Sequence, residues 1–214
     1  MIVSISGMDN AGKTTQCNML RSKYPEVFSE PMHIKDSPSF DETKHDENWW
    51  FRSDNAEEFT EVIYKCLLER IELAEKVKSK IVLLDKGADF YDSRIIATLI
   101  MKGLKYNEAK KYSFDIKMKY FTSCREDLKL YLESGTYKRK ELNLTSFEDL
   151  RYNTYLELNK LILARANTRY INIPTGDIEV VNDSILESIE DIYGDIRTSS
   201  SSKILRAGTT NEKK

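Results

Sequence analysis

The sequence predicts an α/β fold built on a doubly wound, five-stranded parallel sheet flanked by helices. Three observations carry that expectation. Short apolar runs alternate along the chain with longer segments of helical period. The first run, Met1–Ser6, leads directly into Gly7-Met8-Asp9-Asn10-Ala11-Gly12-Lys13-Thr14, a complete G-x-x-x-x-G-K-[ST] pattern. Apart from the two glycines of that pattern, the first 86 residues contain none, which suits long helices with few breaks.

Each element follows from its residues. Ile2, Val3 and Ile5 are β-branched, as a first strand before the glycine pattern requires, and Thr15–Tyr24 lacks Gly and Pro, as the helix after it requires. This is the P-loop NTPase arrangement of strand, loop and helix. The second strand falls at Val27–Ser29 or at Met32–Lys35, since Pro25, Pro31 and Pro38 allow only a short or edge strand. Asp41–Glu47 is acidic and reads as a solvated loop. A long amphipathic helix is expected over Ala56–Lys78, with Phe59, Ile63, Leu67, Ile71 and Ala74 near one face. Lys80–Asp85 is a short apolar run ending in an acid, the pattern of a buried parallel strand. Helices are then expected at Ser93–Met101, Asn107–Phe114, Glu126–Glu133 and Ser146–Ala166. Met118–Thr122 reads as the fourth strand and Arg169–Ile173 as the fifth. From Thr198 the chain has little apolar content. One domain over residues 1–197 and a disordered tail over 198–214 are expected.

Composition narrows the partners. Of the 214 residues 33 are basic and 35 acidic, so no global field draws the chain to nucleic acid or an anionic membrane. Cys17, Cys66 and Cys124 lie far apart and in no C-x-x-C spacing, which speaks for reduced thiols in a cytoplasmic protein over a disulfide frame or zinc site. No stretch has the length and apolarity of a membrane span, and the N-terminus reads as a strand rather than a signal peptide. The expected partner is a small molecule.

The glycine pattern supplies the chemistry. Its backbone wraps an anion, so Gly7, Asn10, Ala11, Gly12, Lys13, Thr14 and Thr15 are the candidate binding residues for ATP. Lys13 adds a point charge at the β- and γ-phosphates, and the Thr14 hydroxyl is placed to ligate Mg²⁺. Asp85, closing its strand, stands where a second magnesium-holding acid belongs; the alternative is that it caps the turn before Gly87. Lys86 would point into the same cleft or be a surface lysine. Asp9, an acid inside the loop, is better aimed at an acceptor hydroxyl than at a triphosphate, which it could orient or deprotonate; the alternative is a helix-start acid. Lys138-Arg139-Lys140 follows Gly135 and reads as a basic lid over about 134–146, with Arg139 on the transferred group, or as a solvated face. Trp49, Trp50, Phe51 and Tyr91 could stack on a base or simply pack. A GTPase-like switch would need Asn-Lys-x-Asp, and Asn159-Lys160-Leu161-Ile162 lacks the acid.

Taken together these segments resemble the thymidylate-kinase-like group of P-loop nucleotide kinases, loosely from Met1 to about Tyr193. The resemblance rests on Gly7–Thr15 with its loop acid, Ser29-Glu30-Pro31 beside the family's Arg-Glu-Pro, Leu67-Leu68-Glu69-Arg70, and Asp85-Lys86 beside its Asp-Arg. It implies a homodimer that moves the γ-phosphoryl group of ATP to a nucleoside monophosphate, with Asp9 at the sugar hydroxyl and Arg70 and Lys86 at the acceptor phosphate. Asp89, just beyond, joins the candidate acceptor-binding residues, and Lys13, Asp9, Asp85 and Arg139 form the catalytic set. The chain departs from the family at Cys66, where a stacking phenylalanine is usual, at Lys86, which replaces an arginine, and over Gly87–Arg94. A nucleoside or other small acceptor, or a non-catalytic nucleotide-binding module, are therefore the alternatives.

Overall fold

Strand β1 (Ile2–Gly7) runs through the middle of a parallel sheet of order β2-β1-β3-β4, with β2 at Val82–Asp85, β3 at Leu128–Leu132 and β4 at Ile171–Ile173. The computed structural model describes residues 1–9, 11–41, 44, 55–120, 126–133, 146–165, 170–174 and 176–196. Register aligns Ile5 with Asp85 on one side and Gly7 with Leu132 on the other, so the loop after β1 emerges beside the carboxyl ends of both neighbours. Ligands of open α/β sheets bind at such ends.

Helices cover both faces. Helix α1 (Lys13–Lys23) and helix α6 (Ile178–Tyr193) pack Cys17, Leu20, Ile185, Leu186 and Ile189 against Val3, Ile5, Leu83 and Leu130. On the opposite face lie α2 (Ala56–Lys76), α3 (Ala88–Met101), α4 (Tyr106–Tyr120) and α5 (Ser146–Arg165). Their apolar stripes meet Ile2, Val82 and Leu84. In α2 the buried residues Phe59, Ile63, Cys66, Leu67, Arg70, Ile71 and Ala74 recur at helical spacing, and the Asn55 side chain caps it by accepting from the Glu58 N–H at 3.1 Å. Among the described residues no helix is long and apolar enough to cross a membrane.

Several expectations are corrected. The sheet has four strands, and the expected second strand is reduced to two isolated parallel bridges, Phe28 to Ile81 and Met32 to Leu84. Both proposed locations therefore touch β2, and Pro31 between them lacks the N–H that a continuous ladder needs. Met118 to Tyr120 is not a strand: α4 continues through it because Ala109, Ser113 and Ile116 keep one face buried and Lys119 and Tyr120 reach Glu61 of α2. Strand β3 lies where a helix was expected, at Leu128–Leu132 inside Glu126–Glu133. Lys, Leu and Glu favour helices intrinsically, but the alternation of buried Leu128, Leu130 and Leu132 has strand period, and pairing with β1 and β4 decides. Helix α3 also begins five residues before Ser93, and α6 was not anticipated.

Candidate functional site

The glycine pattern folds into a strand, a turn and a helix as its spacing requires. Gly7 has φ +151°, and a Cβ there would sit 2.8 Å from the Leu132 carbonyl oxygen, so the loop can leave β1 only without a side chain at this position. Gly12 takes the left-handed φ of +84° directly before α1. The Lys13 ammonium curls back over the loop and donates to the Met8 carbonyl at 2.7 Å. Burial pulls its pKa down while Asp9 and Asp85 push it up. Thr15 is exposed and Ala11 half-buried in the same turn. Asn10 lies outside the described residues, as do Arg139 with the whole Lys138–Lys140 cluster, Trp49, Trp50, Phe51 and the tail over 198–214.

Parallel pairing carries Asp85 to the start of α1. The Thr14 hydroxyl donates to Asp85 Oδ2 at 2.6 Å, and His33 Nδ1 stands 3.2 Å from the same oxygen. Burial alone would raise the Asp85 pKa. The His33 and Thr14 hydrogen bonds, then the Lys86 and Lys13 charges, outweigh it and hold the carboxyl well below the usual range. Asp85 Oδ1 is buried and accepts no hydrogen bond among the described residues. An ionised acid with one orphaned oxygen beside a hydroxyl fits Mg²⁺, which takes one or two protein oxygens and completes its shell with phosphates and water.

A second cluster surrounds Asp9. Arg94 Nη2 donates to Asp9 Oδ1 at 2.6 Å, Lys86 Nζ lies 3.5 Å from that oxygen, and the Tyr152 hydroxyl donates to Oδ2 at 3.1 Å. The Arg94 guanidinium is buried, 5.0 Å from the Phe90 ring centroid and 6.0 Å from that of Tyr155. Burial would raise the Asp9 pKa, yet Arg94, Lys86 and Lys13 drive it far below an ordinary carboxylate. Lys86 is pulled down to about 7, first by burial and then by the Arg94 charge.

Lys86 sits in an unusual turn. Its φ is +71°, a conformation few non-glycine residues adopt. The surroundings hold it there: Lys86 N–H donates to the Ile5 carbonyl at 3.0 Å, Arg70 Nη2 to the Lys86 carbonyl at 2.8 Å, and Arg70 Nη1 to the Asp85 carbonyl at 3.2 Å. Arg70 is thus fully buried with both terminal nitrogens on backbone carbonyls, and Tyr91 is buried with the Arg70 guanidinium 5.4 Å from its ring centroid. The next residue is a glycine in a tight spot: a Cβ on Gly87 would lie 2.5 Å from Glu126 Oε2 and 2.7 Å from Ser4 Oγ, so a larger residue would have to displace both side chains. Asp89 turns away from Asp9, pairing with Lys129 of β3 and, at 4.0 Å, with Lys117 of α4.

The structure thus brings together Lys13, Thr14 and Asp85 in one group and Asp9 and Lys86 in another, with Arg70 beneath Lys86 and Asp89 facing α4. Three residues of these groups were not singled out as site residues from sequence: Arg94, Tyr152 and His33. A charged residue inside the apolar run of α3 was the available signal for Arg94, and scarcity was the signal for His33, one of two histidines. Tyr152 offered none. Beside the loop a cavity of about 170 Å³ is lined by Ala11, Gly12, Gln16, Leu132, Ile173 and Pro174 among others.

No family model matches the chain, and no curated protein matches it in sequence. Solved structures do match its fold. Thymidylate kinase from Candida albicans aligns with a TM-score of 0.61 at 17% identity, covering 89% of this chain and 91% of that one. Thymidylate kinase from Ehrlichia chaffeensis aligns at 0.56 and 16%, covering 89% and 98%. Deoxyadenosine kinase from M. mycoides, in a structure with bound dATP, aligns at 0.60 and 12%, covering 89% and 100%. The chain has a thymidylate kinase-like nucleotide kinase fold, an α/β architecture with a parallel sheet flanked by helices.

Proposed function

We propose that this chain, as a single domain over residues 1–197, transfers the γ-phosphoryl group of ATP to a nucleoside monophosphate or a closely related acceptor. The observation that carries the reading is the 2.6 Å contact between Thr14 and Asp85, with the buried Asp85 Oδ1 accepting no hydrogen bond among the described residues, set beside the Lys86 and Arg94 cations around Asp9. One half is built for a metal-bound triphosphate and the other for an anionic second substrate. Bound Mg²⁺ would neutralise charge on the transferring phosphates, held through Thr14 and Asp85. The amides from Gly7 to Thr15, Asn10 included, cradle the phosphates, and the cavity beside Gly12 receives the base.

In the transfer an acceptor oxygen forms a bond to the γ-phosphorus while the bond from that phosphorus to the β–γ bridging oxygen breaks, ADP leaving with the electron pair. Lys13 and Arg139 stabilise charge on the transferred group, Arg139 as part of the Lys138–Lys140 basic cluster in the lid proposed over about 134–146. Asp9 orients the acceptor's sugar hydroxyl through the lone pair that Arg94, Lys86 and Tyr152 leave free, and the same cations make it too weak a base to take a proton; the attacking oxygen of a monophosphate acceptor is already ionised and has none to lose. Lys86 supplies the charge for the acceptor phosphate, and Arg70 positions Lys86 through its carbonyl. Asp89, a candidate acceptor-binding residue, also ties α3 to β3 and α4 through Lys129 and Lys117.

A nucleoside acceptor is the second reading, favoured by the fit to deoxyadenosine kinase, whose TM-score nearly equals that of the first thymidylate kinase. A panel of nucleosides and nucleoside monophosphates with Mg·ATP separates the two. Acceptor-dependent ADP release abolished by Lys13→Ala is expected; if no acceptor raises ADP release while ATP still binds, the chain is a nucleotide-binding module instead.

A further inference from the structure

We propose that His33 is a positioning residue for Asp85, pinning one carboxylate oxygen so that the other stays aimed at the metal; this rests on the magnesium reading above. The two oxygens of Asp85 are unequal. Oδ2 receives the Thr14 hydroxyl at 2.6 Å and has His33 Nδ1 at 3.2 Å, while the buried Oδ1 receives nothing among the described residues. A carboxylate with no fixed oxygen would swing to satisfy both; a donor on Oδ2 fixes its plane.

Thr14 is a single donor on a rotatable hydroxyl: its oxygen can face the metal through a lone pair while its proton stays on Oδ2, and the imidazole is the second, ring-fixed group on that oxygen that keeps Asp85 from turning. His33 is itself well anchored. Met32 N–H donates to the Leu83 carbonyl at 2.9 Å, Asp85 N–H donates to the Met32 carbonyl at 3.0 Å, and the His33 N–H donates to Asp36 Oδ2 at 2.6 Å. The broken second strand thus places residue 33 in register with residue 85. The contact needs a proton on Nδ1 and no net charge on the ring, so the neutral tautomer suffices. Groups that orient a metal ligand from behind in this way change metal affinity by about 10–100-fold when removed.

The test is thermal unfolding of the full chain with ADP alone and with ADP plus increasing MgCl₂, for wild type, His33→Phe, His33→Ala and His33→Asn. His33 is 28% exposed on its side chain, and each variant's unliganded melting temperature checks that it folds. The ADP-only shift should be the same in all four. His33→Phe and His33→Ala should need at least tenfold more Mg²⁺ for half of the magnesium-dependent increment, and His33→Asn, whose amide N–H can reach the same oxygen, should fall within about threefold of wild type. Half-saturation of His33→Phe and His33→Ala at the wild-type Mg²⁺ concentration would overturn the proposal, as would an Asn variant no better than Phe. A wild type with no magnesium-dependent increment would instead overturn the metal reading on which the proposal stands.

Discussion

Replacing Arg94 by methionine should destabilise the protein in a pH-dependent way that exposes the pairing of Asp9. The side chain is nearly isosteric along its stem, so packing on Phe90 and Tyr155 is largely kept while the guanidinium is lost. With an effective dielectric constant of about 20, the 2.6 Å contact to Asp9 corresponds to roughly 6 kcal/mol of attraction and the 3.5 Å contact from Lys86 to roughly 5. These gross terms are mostly offset by desolvation, and breaking one partner of a buried pair costs about 3–5 kcal/mol net. Arg94 is also the main charge depressing Lys86, so its removal lets Lys86 protonate and take over. The expected loss in urea unfolding is therefore about 3 kcal/mol at pH 7, approaching 5 near pH 10 where Lys86 is neutral. Asp9→Asn with Arg94→Met should be less destabilised than the sum of the singles by at least about 2 kcal/mol. Additivity within about 0.5 kcal/mol, or a loss that does not grow with pH, would refute the pairing and with it the claim that Asp9 is no proton acceptor.

Lys86 gives a pH-dependence whose sign is fixed by its charge. Its protonated form binds an anion, and with a pKa of about 7 the protonated fraction drops from about a half at pH 7 to about a hundredth at pH 9. For the phosphate acceptor that the panel identifies, KM should rise by up to about fiftyfold over that interval, and Lys86→Met should raise KM at pH 7 and flatten the profile; a wild-type KM constant from pH 7 to 9 would exclude Lys86 from the acceptor phosphate. Arg139→Ala should lower kcat by about a hundredfold with ATP affinity nearly unchanged, as for a lost transition-state contact, and an unchanged kcat would remove Arg139 from the mechanism.

What the sequence discloses about the fold depends on where the deciding energy lies. β1, α1 and α2 were readable because their own residues settle them: the glycines at 7 and 12 meet backbone constraints, and the Phe59 to Ala74 stripe is periodic over about four turns. Between residues 106 and 133 local preference and tertiary placement disagree. Lys117 to Tyr120 has aromatic content that suggests a strand but ion pairs that hold a helix, and Leu128–Leu132 has helix-favouring residues but a slot between β1 and β4. Five residues are too few for propensity to outvote two strand ladders.

The site divides on the same line. Lys13, Thr14 and Asp85 meet because a parallel register forces the end of one strand beside the loop of its neighbour, and such registers can be inferred from pattern. Arg94 and Tyr152 meet Asp9 across three elements, and nothing local marks which of the chain's many charges will close such a cluster. The same cluster accounts for residues at which the chain departs from the family resemblance. Arg94 pairs with the loop acid, and Lys86 keeps its strained turn because Arg70 clasps its carbonyl. Gly87 leaves room for Glu126, whose carboxylate accepts from the Ala88 N–H at the start of α3 and from Ser4. Each of these residues fits its neighbours and the charges around Asp9 are paired, the local consistency that the proposed phosphoryl transfer requires and a decayed site would lack.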